Sequence, residues 1–116
     1  LYIASEHGRA EVAELLVMHG ANIETPEVRG WTPLMAAAWK DHSDVIKVLL
    51  KHGAAIDKRQ DDGATPLWIA SEHGHLECVR VLLEHGADME IADKTGWTPL
   101  TASVKGGRAD VLKLLL

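Results

Sequence analysis

The residues of this chain that could do chemistry are seven histidines, one cysteine and seventeen carboxylates. Their densest grouping is Glu72, His73, His75 and Cys78, which has the donor types and close spacing of a metal site. A structural role fits its members better. One step of 33 residues carries Cys78 onto Val45 and Val111, so its position belongs to an interior and is not a ligand position. His19, His52 and His85 are related by the same step and each precedes Gly-Ala, so they cannot mark one catalytic centre. Just before a helix-ending glycine, a cation complements the helix C-terminus. Ser5, Ser71 and Ser103 stand where Ala37 or Ala38 stands in the second unit, as small packing residues do. No nucleophile motif, phosphate-binding loop or dinucleotide fingerprint is present. The expectation is a protein with no enzymatic activity, no metal and no cofactor.

The four tryptophans point to recognition, because exposed aromatic residues dominate binding hot spots. Trp39 has Glu6, Glu72 and Lys105 as its equivalents, all water-compatible, which makes it a candidate anchor for a partner. The rival reading stacks it on Met35, one helical turn earlier. Trp31 and Trp97 sit just before Thr-Pro, where partner contact and packing on the adjacent loop fit equally. Trp68, at the start of a helix, reads as packed.

The elements that position these residues follow from one period. Thr32-Pro33-Leu34, Thr65-Pro66-Leu67 and Thr98-Pro99-Leu100 are spaced by 33 residues, as are His19-Gly20, His52-Gly53 and His85-Gly86. Landmarks sharing one period define a tandem array of stacked units. The repeats fall at about residues 1–29 (partial), 30–62, 63–95 and 96–116 (partial), within a single domain spanning 1–116.

In the second unit, Thr32 is a helix N-cap and Pro33 occupies the first helical position, where a missing N–H is no loss. Leu34, Ala37 and Ala38 make one apolar stripe, small enough for a neighbouring helix to approach closely. The helix should stop near Lys40, since the equivalents of Asp41 are Gly8, Gly74 and Gly107. That position calls for a left-handed residue, which Asp tolerates. A second helix follows over Ser43 to Lys51, with Val45, Val48 and Leu49 as its buried face and Gly53 beyond its end. Helices this short need neighbours to exist in water.

Gly30-Trp31-Thr32-Pro33-Leu34, the alanines one turn later, a Val-x-x-Leu-Leu run and His-Gly-Ala together resemble the ankyrin repeat, over the whole chain. The resemblance implies an all-α solenoid of stacked helix–turn–helix units with projecting β-hairpin-like loops. It also implies that His42 and His75 bond backbone, and that the first helices and loop tips form a concave groove that binds a partner protein. On that groove it places Val28, Arg29, Trp31, Trp39, Lys40, Asp61, Asp62, Glu72, His73, Lys94, Thr95, Trp97 and Lys105. With Glu6, the groove balances four basic against four acidic residues, so the acidic excess lies elsewhere. Two departures stand out. Tyr2, Met35, Trp68 and Thr101 replace a common histidine, and Glu24, Asp57 and Glu90 replace an asparagine that is hydroxylated in some members.

A longer period overlies the first. Ile3-Ala4-Ser5-Glu6-His7-Gly8 recurs unchanged as Ile69 to Gly74, and Gly-Trp-Thr-Pro-Leu recurs from Gly30 to Gly96, so odd units resemble odd and even resemble even. The net charge of −5 disfavours phosphate backbones, so no nucleic acid is expected. No apolar run is long enough to cross a bilayer. A lone cysteine and an open repeat at each end suggest an intracellular, cytoplasmic segment of a longer array. The alternative to partner binding is a spacer or regulatory segment that positions neighbouring domains and has no ligand of its own.

Overall fold

A computed structural model describes residues 1–116. Eight α-helices form four helix–turn–helix pairs: α1 (Tyr2–Glu6) with α2 (Ala10–Met18), α3 (Pro33–Trp39) with α4 (Ser43–Lys51), α5 (Pro66–His73) with α6 (Leu76–Glu84), and α7 (Pro99–Lys105) with α8 (Ala109–Leu115). Each first helix packs on the first helix of the next unit, and each second helix on the next second helix. The result is two layers along a 39 Å axis, with no strand. No helix is long and apolar enough to cross a membrane.

The Thr-Pro starts work as the sequence requires. Thr32 Oγ1 accepts the Met35 N–H at 3.3 Å and Thr65 Oγ1 accepts the Trp68 N–H at 3.1 Å. The first helix α1 has no such cap. At the turn between helices, Asp41 has φ 66° beside 71° for Gly8, 73° for Gly74 and 67° for Gly107, so a left-handed aspartate fills a glycine position. Its carboxylate reaches into the third unit, accepting the Cys78 S–H at 3.5 Å and lying 3.8 Å from His75 Nδ1.

The buried alanines Ala37, Ala38, Ala70 and Ala102 let the first helices approach closely, and Leu34, Leu67, Ile46, Leu49, Val79 and Leu82 fill the space between layers. One expectation about α4 needs correcting. Val45 and Leu49 are fully buried, but so is Ile46, whereas Val48 is only half-buried. The cause is that α4 lies between α2 and α6 and is covered on both flanks, which shifts its buried arc. Val48 instead lines an open trench with Ala10, Glu11, Glu14 and Leu15.

The projecting loops close like hairpins without forming a strand ladder. The N–H groups of Glu27, Gln60 and Asp93 donate to the carbonyls of Trp31, Ala64 and Trp97 at 2.7, 2.9 and 2.8 Å. Neighbouring tips are tied by Asp61 N–H to the Arg29 carbonyl and Lys94 N–H to the Asp62 carbonyl, both at 3.0 Å. Glu24 and Asp57, which stand where asparagine is usual, accept the N–H groups of Ala55 and Asp88 in the following unit. Arg59 adds bonds to the carbonyls of Gly63 and Ala92 at 3.0 and 2.9 Å. The first loop differs from the others. Val28–Gly30 forms a 3-10 turn in which Arg29 is left-handed at φ 63°.

Candidate functional site

Six of the seven histidines are committed to backbone. His42 Nε2–H donates to the Glu6 carbonyl and His75 Nε2–H to the Trp39 carbonyl, both at 2.9 Å. Arg108 Nε–H donates to the Glu72 carbonyl at 3.0 Å, so each seam between units carries a latch of this kind at the turn between helices. Because a carbonyl only accepts, these bonds place the imidazole proton on Nε2. His7, His19, His73 and His85 turn their Nδ1 back to the carbonyls of Ile3, Leu15, Ile69 and Val81. His52 departs from that pattern: its Nε2 lies 3.0 Å from Glu14 Oε1, and this close approach holds the Glu14 carboxyl below the usual range.

The Glu72–Cys78 grouping does not converge. His73 and His75 stack ring on ring at 5.9 Å, and no three His, Cys, Asp or Glu side chains stand together as metal ligands. Cys78 is fully buried. Its burial, and then the charge of Asp41, push the thiol far above its ordinary pKa. Such a thiol is inert packing. Ser5, Ser71 and Ser103 are buried too, and Ser5 and Ser103 donate to the carbonyls of Leu1 and Leu100.

The aromatic and charged residues expected on the groove gather at the ends of the first helices and at the loop bases. Trp39 is 36% exposed and meets Trp31 edge-on, with ring centroids 5.5 Å apart and planes at 64°. Lys40 Nζ sits 4.0 Å from the Trp39 ring centroid, within cation–π range. Met35, the rival partner proposed for Trp39, is fully buried with Ala64 and Ile69, and its sulfur accepts the Thr32 N–H. Trp31, half-buried, bridges that buried cluster to the surface.

The fourth unit builds a counterpart. Trp97 is also 36% exposed, and Lys105 Nζ lies 5.1 Å from its ring centroid and 3.8 Å from Glu72 Oε2. Trp68, packed as expected, donates its indole N–H to the Trp97 carbonyl at 3.0 Å and so fixes the loop base. Asp93 holds that loop as well. Burial would raise its pKa, but hydrogen bonds from the Thr95 hydroxyl and the Trp97 and Thr95 N–H groups outweigh this and keep its carboxyl below the ordinary aspartate range.

The other groove residues fall at the tips and between these two indole pairs. Val28, 80% exposed, and Arg29 form one tip, Asp61 and Asp62 the next, and Lys94 and Thr95 the third, all exposed. Glu72 and His73 are half-buried on α5. Sequence reasoning missed the residues that support this surface (Gln60, Asp93 and Arg59), because their partners lie across turns or in the following unit. For Gln60 and Asp93, the signal was a repeated polar residue at one loop position.

No curated protein matches the chain. A family model described as ankyrin repeats (3 copies) matches residues 1–60 and 52–116. Paired short helices, Thr-Pro caps, left-handed turns, backbone-bound histidines and tied hairpin tips give that match its physical content, and the chain belongs to the ankyrin repeat family.

Proposed function

We propose that the chain binds a partner protein through the groove of its first helices and loop tips. Ankyrin repeats are generally protein–protein interaction modules. The observation that carries the reading here is Trp39, an indole held partly in water against Trp31, with Lys40 on its face. Its fold-equivalents are charged, so the repeat does not require an aromatic residue there. A surface preformed by latches and tied tips loses little ordering entropy on binding. The compartment we propose is a reducing, intracellular one.

The reading is tested by capturing a partner protein on the immobilised chain and titrating it against Trp39→Glu and Lys47→Glu, with circular dichroism to confirm folding. Trp39→Glu should weaken binding by about thirtyfold, the cost of about 2 kcal/mol for a lost hot-spot aromatic. Lys47, exposed on α4 away from the groove, should tolerate the change. The opposite result would place the partner on the convex face, indifference to both would place it outside the groove, and failure to capture any partner would favour a spacer.

A further inference from the structure

Along the stack the groove is banded in charge. The first band joins Arg29 and Lys40 to the Trp31–Trp39 pair, with Glu6 of α1 as one outlying carboxylate a unit beyond it, and the third joins Lys94 and Lys105 to Trp97. Between them lie Asp61, Asp62 and Glu72, on the tip and helix of the intervening unit. The two indole bands are separated by two units, because Trp31 and Trp97 share a repeat position that is Ala64, fully covered, in the unit between.

We infer that the groove takes an extended peptide in which two apolar, acid-flanked side chains about six residues apart flank basic ones; this rests on the groove reading above. The spacing follows from packing. Four units occupy the 39 Å axis, so two units span about 20 Å, in line with helix separations of about 8–10 Å. An extended chain covers that distance in about six residues at roughly 3.3 Å each. Because side chains alternate faces, residues i and i+6 both point into the groove, and so do i+2 and i+4 but not i+3. The two aromatic positions therefore reach the indole bands, and basic residues at i+2 and i+4 meet the acidic band. Carboxylates just outside the apolar positions meet Arg29 and Lys40 at one end, and Lys94 and Lys105 at the other. Opposed charge of this kind sets register and rejects a shifted partner.

A labelled synthetic peptide with serine at every even position and Asp, Phe, Lys, Lys, Phe, Asp at the odd positions is the direct test, read by fluorescence anisotropy. It is unchanged in pattern when reversed, so strand direction does not matter. Deleting its central serine turns one half onto the opposite face. A second control exchanges the Asp and Lys residues. The parent peptide should bind, and both controls should bind at least about tenfold more weakly, or about 1.4 kcal/mol. Lys40→Glu and Lys105→Glu, both at exposed positions, should each weaken the parent to a similar degree with an unchanged circular dichroism spectrum.

Equal binding of all three peptides, binding by none, or indifference to both lysine variants would overturn the inference. If no peptide binds while Trp39→Glu still releases the captured partner, the banded-peptide inference falls and the groove stands. If Trp39→Glu retains that partner, the groove reading itself fails.

Discussion

Replacing Asp41 with glycine should stabilise the array by about 0.5 kcal/mol, as the small difference of three terms. An L-residue in the left-handed region costs about 1–2 kcal/mol, and Asp41 lies near the middle of that range, at about 1.5, because its carboxylate is turned to Cys78 and makes no bond to its own backbone. Glycine relieves this strain but gives back roughly 0.5–1 kcal/mol through the greater freedom of its unfolded chain. The third term is the carboxylate itself. It accepts a weak thiol donor at 3.5 Å and lies 3.8 Å from His75, with the Asp41 side chain 55% exposed, so the pair is worth about 0–0.5 kcal/mol. Asp41→Ala keeps the strain and loses both contacts, and should destabilise by about 1 kcal/mol. Urea melts of the parent, Asp41→Gly and Asp41→Ala, repeated in a Cys78→Ala background, separate the terms. Without the thiol, the benefit of glycine should grow. A glycine variant less stable than the parent, or an alanine variant as stable as the glycine one, would show that backbone conformation is not what this position selects.

Two further outcomes follow from the ends and the loops. Ile3 is 74% exposed on uncapped α1, whereas its equivalent Ile69 is 3% exposed, so amides of Leu1 to Gly8 should exchange much faster than those of Leu67 to Gly74; equal protection would mean that α1 is covered by something in solution. Asp93 titrates lower folded than unfolded, so its contribution is present above about pH 3.9 and is lost as pH falls through the folded value. Asp93→Asn should therefore flatten the loss of urea midpoint in acid, and identical pH profiles would refute the loop-holding role.

What the sequence made legible was local. The Thr-Pro caps, the left-handed demand at Asp41 and the buried serines all depend on neighbours a few residues away, and each was found where the residues placed it. Residues whose environment belongs to another unit were less readable. Ile46 is buried in preference to Val48 because α2 and α6 flank α4, and nothing within Ser43–Lys51 says how far each flank extends. Trp39 meets Trp31 because the loop base returns over the helix, a path set by tertiary structure. Arg29 shows the limit most plainly. It is an ordinary residue in a left-handed conformation, and neither Asp62 nor Thr95 at its repeat position shares it.

The latches between units have an implication for how such a surface can change over time. The carbonyls that receive His42, His75 and Arg108 belong to Glu6, Trp39 and Glu72, which share one repeat position on the proposed groove. Each seam thus grips the main chain of a residue on the proposed binding surface, and the latch itself makes no demand on that side chain. Substitution there alters what the surface offers while the bond joining the units persists, whichever amino acid supplies the oxygen. Selection can revise specificity one letter at a time at these positions without renegotiating the architecture, and a laboratory library confined to them would inherit the same freedom.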